Sequence, residues 1–258
     1  MSEQNVQAYA VLARAYEDAG FANYVLSMTP RIITFLQQDD WMGRRILDVG
    51  CGTGASSVFL ADKGFNVIAL DYSREMMDIA RLRIEGTGHL IDFVYGDLRT
   101  TDFPRAMDLV LAMGNVVNEL MSMSELELFF RKSFDALEPG RRLVFDMLTL
   151  RGLGEYLGKS EEILDISDRI FMTVQNRFSY DTMSLRQHFT IYYRNSLENE
   201  WERHIAAITL RSYPHAGVVR LLEKVGFTVR GSYTSGLQEF DPRDDVDGHV
   251  LVVALKPE

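Results

Sequence analysis

The stretch Ile46–Gly54 (ILDVGCGTG) constrains the fold of this chain more than any other. Its apolar residues suit a strand of a parallel sheet that is buried on both faces. The glycines that follow allow a sharp turn and let a ligand approach the main chain closely. The next segment, Ala55–Leu60, has the pattern of a helix, whose first turn offers unpaired N–H groups and the positive end of its dipole. The sequence therefore predicts a strand–turn–helix unit that binds a nucleotide-type cofactor.

Strand and helix patterns alternate from residue 46 to about residue 150, which predicts a parallel sheet covered by helices on both faces. The predicted strands are Arg45–Val49, Asn66–Leu70, Ile91–Tyr95, Met107–Met113 and Arg142–Asp146. The predicted helices are Ser56–Lys63, a helix capped by Ser73 that runs to about Glu85, and Glu125–Leu137.

The pattern changes after residue 150. β-Branched and aromatic segments predict an antiparallel insertion, residues 151–213, that covers the cofactor end of the main sheet. Its candidate strands are Arg169–Asn176, Leu185–Arg194 and Glu202–Thr209, and the chain then continues with a helix at His215–Val225 and strands at Phe227–Tyr233 and His249–Leu255. We expect residues 1–40 to form a helical cap and residues 41–258 to form the cofactor-binding domain, with 151–213 as its substrate lid.

The composition limits which binding partners and which cellular location we expect. The 258 residues carry a formal net charge of −10 and contain no Lys/Arg-rich run. Proteins that bind nucleic acid through its phosphates usually carry a basic face, so we expect no nucleic-acid partner. No run of about 18 apolar residues predicts a membrane span, and the N-terminus lacks a signal-peptide pattern, so we expect a cytoplasmic protein. The one cysteine, Cys51, cannot form an internal disulfide, and the five histidines show no metal-binding spacing.

The glycine pattern alone leaves two cofactors open. Gly50, Gly52 and Ala55 satisfy the dinucleotide fingerprint G-x-G-x-x-G/A, and Asp71 follows Gly50 by 21 residues, where a ribose-binding acid belongs. Asp48, however, lies inside the strand just before the first glycine. A carboxylate at that position would repel a pyrophosphate and would suit a cationic ligand.

The segment Asp48–Gly54 (DVGCGTG) resembles motif I of the class I S-adenosylmethionine (SAM) methyltransferases. The resemblance, which covers residues 46 to 150, implies SAM as the cofactor, with its cationic sulfonium and ammonium groups. It also implies the fold: α/β, a doubly wound, seven-stranded, mostly parallel sheet, to which this chain adds an inserted antiparallel β lid.

Further motifs extend the resemblance. Asp71 and Tyr72, followed by Met76, resemble the motif whose acid binds both ribose hydroxyls, and a carboxylate can accept two hydrogen bonds from such a diol. Asp97 and Leu98 resemble the adenine motif, in which the acid accepts from the exocyclic amine. The remaining residues that the resemblance assigns to the cofactor are Tyr16, Tyr24, Asp48, Gly50, Cys51, Gly52, Gly54, Gly96, Met113, Asn115 and Asn118.

The segment after the fourth strand favours a small acceptor. Residues 108–120 resemble the corresponding motif of small-molecule methyltransferases, although Glu119 replaces the usual aromatic residue after Asn118. The segment lacks the Asn-Pro-Pro-Tyr sequence of the methyltransferases that modify exocyclic amines of DNA and RNA. The tyrosines Tyr16 and Tyr24 resemble the capping segment of the sugar-aminomethylating type.

The resemblance predicts in-line methyl transfer to an N or O atom of a small molecule. Alignment and exclusion of water supply most of the acceleration in such a reaction, and a general base is optional. Candidates for that base are His188, His204 and Glu119. We expect a monomer or a homodimer. The alternatives are a SAM-binding sensor or partner subunit without catalysis, a protein that transfers another group from SAM, and an NAD-dependent oxidoreductase.

Overall fold

The computed structural model describes residues 3–155, 161–195, 200–244 and 247–258. The described strands are β1 (Arg45–Val49), β2 (Asn66–Asp71), β3 (Ile91–Tyr95), β4 (Met107–Ala112), β5 (Leu137–Leu148), β6 (Glu161–Ser167), β7 (Ile170–Ser179), β8 (Ser184–Arg194), β9 (Trp201–Arg211), β10 (Thr228–Tyr233) and β11 (His249–Leu255). The described α-helices are α1 (Glu3–Leu12), α2 (Asn23–Gln38), α3 (Ala55–Asp62), α4 (Arg74–Ile84), α5 (Met123–Ala136), α6 (Leu150–Glu155) and α7 (His215–Val225).

Within these residues the central sheet has seven strands in the order β10-β11-β5-β4-β1-β2-β3. β1 pairs in parallel with β2 and β4, whereas β11 runs antiparallel between β5 and β10. This confirms the predicted α/β fold with a mostly parallel sheet. The strand order reverses between β1 and β4, and ligands of such sheets bind at the carboxyl ends of the strands at that point.

The sheet is buried on both faces by helices whose apolar residues recur at helical spacing. All six residues of β4 are buried, as expected for a central parallel strand. On one face α5 buries Leu126, Phe129 and Phe130. The α5 helix begins where Ser122 accepts a hydrogen bond from the Glu125 N–H, which satisfies one of the unpaired donors of its first turn.

The second sheet has four antiparallel strands among the described residues, in the order β6-β7-β8-β9. The sequence predicted β7, β8 and β9 to within three residues at each end. It missed β6, because exposed acids alternate there with weakly buried residues and the apolar Ile163 itself is exposed. Residues 156–160 and 196–199 of the predicted lid lie outside the described part of the chain.

This second sheet, β6 to β9, which we call the lid sheet, buries its inner face against α1. Leu185, Phe189 and Ile191 of β8 form a core cluster with Ala8 and Leu12 of α1. A 3₁₀ turn at Ala13–Ala15 follows, before α2 packs on the central sheet. The N-terminal segment, by which we mean α1 to α2, therefore lies between the two sheets. Among the described residues, no helix is both long enough and apolar enough to cross a membrane.

The backbones of Gly152 in α6 and Gly248 before β11 touch. A Cβ added to Gly152 would lie 1.9 Å from the Gly248 carbonyl oxygen, whereas one added to Gly154 would meet nothing within 4 Å. We therefore expect Gly152→Ala to lower the free energy of unfolding by about 1–3 kcal/mol through overpacking.

The matched control is Gly154→Ala in the same helix, which should raise the free energy of unfolding by about 0.5–1 kcal/mol because alanine favours the helix. Urea unfolding of both variants measures the two effects. Equal effects in the two variants would contradict the contact between α6 and the residue that precedes β11.

Candidate functional site

Three backbone N–H groups of the glycine turn after β1 are already paired within the fold. The N–H groups of Gly50 and Cys51 both donate to the carbonyl oxygen of Leu70, at 2.8 and 3.1 Å. The Gly52 N–H donates to the carboxylate of Asp71 at 2.8 Å. A dinucleotide pyrophosphate is normally held by backbone N–H groups of this turn. Here three of them stabilise the turn and fix the carboxylate of Asp71 beside it.

Two of the glycines are required for different reasons. Gly54 has φ +76° just before α3. A Cβ at this position would lie 2.7 Å from Cβ of Ala80, so the lack of a side chain on Gly54 lets α4 pack against the turn. Gly52 has φ +55°, and a Cβ there would meet nothing within 4 Å. The space beside Gly52 is therefore open, which leaves room for a ligand to approach the main chain there.

Three buried carboxylates surround the turn: Asp48, Asp71 and Glu119 are 2%, 7% and 5% exposed. Burial raises the pKa of Asp48 to about 6, against a hydrogen bond from Ser57 Oγ at 2.6 Å. Burial likewise raises the pKa of Glu119 to about 7 and raises the pKa of Asp71. Since buried acids with raised pKa values favour a positive partner, this cluster suits a cation.

Asp71 keeps the capacity to bind a diol. Its Oδ1 accepts from the Ser73 N–H and its Oδ2 from the Gly52 N–H, both at 2.8 Å. A carboxylate offers about four acceptor positions, so the carboxylate can still accept from hydroxyl groups of a ligand. These bonds also fix the carboxylate at the carboxyl end of β2.

Glu119 joins the N-terminal helix to the turn region. Its carboxylate accepts hydrogen bonds from Tyr9 at 2.7 Å, Tyr72 at 2.9 Å and Asn5 at 3.3 Å. Asn5 and Tyr9 belong to α1, and Tyr72 follows β2. Burial, with the negative charge of Glu119, raises the pKa of both tyrosines, so their hydroxyls remain donors.

We call the cavity at the glycine turn the loop cavity. It is lined by Tyr9, Tyr16, Ala22, Val25, Asp48, Val49, Gly50, Cys51, Gly52, Thr53, Ala55, Ser56, Leu70, Asp71, Tyr72, Met76, Leu98, Met113, Gly114, Val116 and Glu119. No lysine or arginine is among these described lining residues. Acids, apolar side chains and a diol-binding carboxylate together fit SAM, which carries a ribose, an adenine ring and a sulfonium.

A second cavity, the lid cavity, lies between the N-terminal segment, the lid sheet and the edge of the central sheet. Its volume is 310 Å³. It is lined by Tyr9, Leu12, Tyr16, Gly20, Phe21, Tyr24, Gly114, Asn115, Leu148, Glu162, Leu164, Val174, Gln187, Phe189, Ile208, Leu210 and His249. Tyr9, Tyr16 and Gly114 line both cavities, so the two spaces share a wall.

Asn115 supplies an independent sign of a ligand at this shared wall. It has φ +67°, and its buried Oδ1 has no hydrogen-bond donor among the described residues. A buried acceptor left unpaired costs about 1–3 kcal/mol. A donor on a bound molecule would remove that cost.

The comparisons with known proteins agree with this geometry. Residues 46–140 match the sequence profile of a methyltransferase-domain family. Over 184 residues the chain is 27% identical to the putative methyltransferase YqeM of Bacillus subtilis (strain 168), which covers 71% of this chain and 73% of that protein. The chain carries a methyltransferase domain within the fold of the SAM-dependent methyltransferases.

Solved structures share its fold. A SAM-dependent methyltransferase from Clostridium acetobutylicum ATCC 824 matches with a TM-score of 0.79 at 18% identity, covering 89% of this chain and 91% of that one. The sugar N-methyltransferase KedS8 from Streptoalloteichus sp ATCC 53650 matches with a TM-score of 0.67 at 17% identity, covering 97% and 93%. Both alignments extend well beyond residues 46–140.

The NAD alternative is therefore wrong for this methyltransferase, although the glycine spacing allowed it. Three N–H groups of the turn donate to Leu70 and Asp71, and the described lining of the loop cavity carries acids where a pyrophosphate would need positive charge. The sequence spacing gives the positions of the glycines only. The hydrogen-bond partners of their backbone N–H groups come from the neighbouring strand β2.

Most of the residues assigned to SAM by resemblance come together in the loop cavity: Tyr16, Asp48, Gly50, Cys51, Gly52, Asp71, Tyr72, Met76, Leu98 and Met113. Tyr24 and Asn115 line the lid cavity instead. Cys51 is buried, which raises the pKa of its thiol and keeps it neutral.

Four of the assigned residues line neither cavity. Gly54 packs against Ala80, and Gly96 lies against the Thr101 side chain. Asp97 is held in an ion pair with Arg99 at 2.6 Å. A fully buried Asn118 holds β5 and β9 together, donating to the carbonyl oxygens of Leu148 and Arg211 and accepting from the Leu148 N–H.

The three candidates for a general base lie in different parts of the structure, and only one of them lines a cavity. Glu119 lines the loop cavity. His188, on the strand face opposite Phe189, is missing from the described lining of both cavities, and so is His204, which lies 3.6 Å from Glu202. A catalytic role for either histidine has no support in this geometry.

The lid cavity also contains residues that sequence reasoning missed, notably Tyr9, Phe21, Glu162 and His249. Behind His249 lies Asp146, which was predicted to end a strand but was given no role. The position of Asp146 at the carboxyl end of a parallel strand was a usable signal. No comparable signal marks His249, because its nearness to Asp146 depends on the antiparallel pairing of β11 with β5.

We expect Asp71→Ala to weaken SAM binding by about 1–3 kcal/mol, since it removes hydrogen bonds to a charged group. Calorimetric titration with SAM measures the change. Asp78→Ala is the matched control, because the Asp78 side chain is exposed on α4 and pairs only locally with Arg81. Unchanged SAM affinity in Asp71→Ala would contradict the ribose assignment.

Glu119 makes stability depend on pH. Its pKa rises from 4.5 in the unfolded chain to about 7 in the fold. The folded state therefore binds more protons between these values, so the stabilising contribution of protonated Glu119 is full below pH 4.5 and is lost as the pH rises through 7.

We expect Glu119→Gln to remove this part of the pH dependence, on the order of 3 kcal/mol. The variant should therefore gain stability relative to the parent protein as the pH rises, in urea unfolding at a series of pH values. The exposed Glu223→Gln should show no such trend. A stability difference for Glu119→Gln that stays constant with pH would show that Glu119 titrates normally in the fold.

Proposed function

We propose that this methyltransferase transfers the methyl group of SAM to an N or O atom of a small molecule held in the lid cavity. The observation that carries the proposal is the shared wall: Tyr9, Tyr16 and Gly114 line both cavities. A donor in the loop cavity and an acceptor in the lid cavity would therefore meet at these residues. SAM supplies a methyl carbon already activated by a sulfonium leaving group.

The chain's contribution is alignment and exclusion of water. Tyr9 is anchored by Glu119, and Tyr16 packs on both Tyr9 and Phe21, with ring centroids 6.2 and 5.5 Å apart. These rings belong to the N-terminal segment, which lies between the two sheets. Their anchoring favours a closed, dry site in which the reacting atoms are held in line.

The size and lining of the lid cavity favour a small acceptor. Its 310 Å³ lies at the lower end of the range of about 300–1,000 Å³ that is typical of small-molecule sites. Apolar and aromatic side chains dominate its described lining. A nucleic-acid acceptor would need a basic surface, and the chain carries a net charge of −10. The fold it shares with the sugar N-methyltransferase KedS8 also fits a small acceptor.

A SAM-binding sensor without catalysis would have no use for a second cavity. In such a protein the acceptor side would be flat or filled. Here the described residues leave a cavity directly beside the loop cavity, with the buried Asn115 Oδ1 unpaired at its edge. This favours an acceptor-binding enzyme.

The test is a screen of small amines, alcohols, phenols and carboxylates for acceptor-dependent release of S-adenosylhomocysteine, with DNA and RNA included as alternative acceptors. We expect turnover with one or more small molecules and none with nucleic acid. A protein that binds SAM but releases no S-adenosylhomocysteine with any compound would refute the proposal in favour of the sensor.

A further inference from the structure

A histidine–carboxylate pair lies at the edge of the lid cavity. His249 begins β11 beside β5, and its Nε2 is hydrogen-bonded to Oδ2 of Asp146. Asp146 is fully buried and also accepts from the backbone N–H groups of Gly114 at 2.7 Å and Asn115 at 3.2 Å. Because a carboxylate can only accept, the proton in the bond to His249 lies on Nε2.

This arrangement fixes the tautomer of the ring. A neutral imidazole that is protonated at Nε2 carries its lone pair at Nδ1. No described residue makes a hydrogen bond to Nδ1, and the side chain is 12% exposed and lines the lid cavity. The ring stacks on Tyr24, with centroids 4.1 Å apart and planes 17° apart. Hydrogen bond and stacking together hold Nδ1 in one position.

The same backbone segment connects this pair to the shared wall of the two cavities. Gly114 and Asn115 donate to Asp146, and Gly114 also lines the loop cavity. The pair is therefore linked through one residue to the wall where donor and acceptor would meet. Asp97, His188 and His204 have no such connection in the described structure.

The charged and titratable groups around the ring and around its stacking partner Tyr24 come from several elements. Asp146 of β5 is hydrogen-bonded to the ring and Tyr24 of α2 stacks on it. Arg31 of α2 and Asp247, just before β11, interact with Tyr24, and Glu162 of β6 lines the same cavity. Burial, reinforced by Asp146, raises the pKa of Tyr24, so its hydroxyl stays protonated. Acids outnumber the one arginine in this set, and no lysine or arginine is among the described lining residues of the lid cavity.

We propose that His249, oriented by Asp146 and Tyr24, docks the methyl acceptor at Nδ1 and accepts its proton. This rests on the proposed function. The acceptor lone pair forms the bond to the methyl carbon, the carbon–sulfur bond breaks with its electrons remaining on sulfur, and the N–H or O–H proton passes to Nδ1. The acceptor is an amine that reacts in its uncharged form, or a hydroxyl compound, with an apolar body, because the described lining residues of the lid cavity offer an anionic acceptor no lysine or arginine.

The test uses tyramine as the probe, since it carries a primary alkyl amine and a phenol hydroxyl on one apolar body. Spectra of ¹⁵N-histidine are recorded on the protein bound to S-adenosylhomocysteine, and His249 is assigned by the loss of its signals in His249→Phe. We expect Nε2 to be protonated, Nδ1 to be unprotonated, and tyramine to shift the Nδ1 resonance. Phenylalanine keeps the stacking on Tyr24 and removes both nitrogens.

Kinetics provide the second readout. We expect His249→Phe to lower kcat for methyl transfer by about 100-fold, the lower end of the effect of a general base, and to remove the histidine-dependent limb of the pH profile. The affinity for SAM should remain unchanged. His188→Phe, on the outer face of the lid sheet, is the matched control and should retain kcat and the pH profile.

The outcomes separate the two proposals. Ring nitrogens of His249 that do not respond to tyramine, an Nδ1-protonated tautomer, or an unchanged pH profile in His249→Phe would each overturn the role of His249. A screen without any S-adenosylhomocysteine release would overturn the proposed function instead, while the tautomer and the response to tyramine could still be read in the spectra.

Discussion

The burial of carboxylates along one edge of the parallel sheet is the constraint on which the rest of the site depends. Asp48, Asp71, Glu119 and Asp146 are each at most 7% exposed. A buried charge is tolerated only when hydrogen bonds or opposite charges compensate its lost hydration. Each acid is therefore compensated by donors from another part of the chain, and these donors become fixed in space.

Those donors organise the whole cofactor edge. The glycine turn is held to β2 through Asp71, the segment after β4 is held to β5 and β11 through Asp146, and the N-terminal helix is held to the sheet through Glu119. A cluster of this kind is repulsive for anions and attractive for a sulfonium or an ammonium group. The same interactions that position the backbone therefore select the charge of the ligand.

The acceptor side is assembled from distant parts of the chain. The lid sheet contributes apolar side chains, the N-terminal segment contributes aromatic rings, and the last strand contributes His249. The inner face of the lid packs on α1, and α1 is anchored by Asn5 and Tyr9 to Glu119. Closure over the acceptor and anchoring beside the cofactor are thus properties of one N-terminal segment.

The sequence by itself determined the strand–turn–helix unit, the parallel sheet and most of the loop cavity, because these depend on local periodicity and on glycines and acids at successive strand ends. Strand β6 was not predicted, because exposed acids interrupt the alternation of apolar and polar residues that marks a strand. Asp97 and Asn118 matched motifs, yet their side chains are occupied by Arg99 and by the β5–β9 junction. Only the tertiary structure decided the acceptor side, where antiparallel pairing brings His249 beside Asp146 across 103 residues and packing aligns the lid with α1. Such contacts depend on which distant surfaces meet, and no local pattern records that.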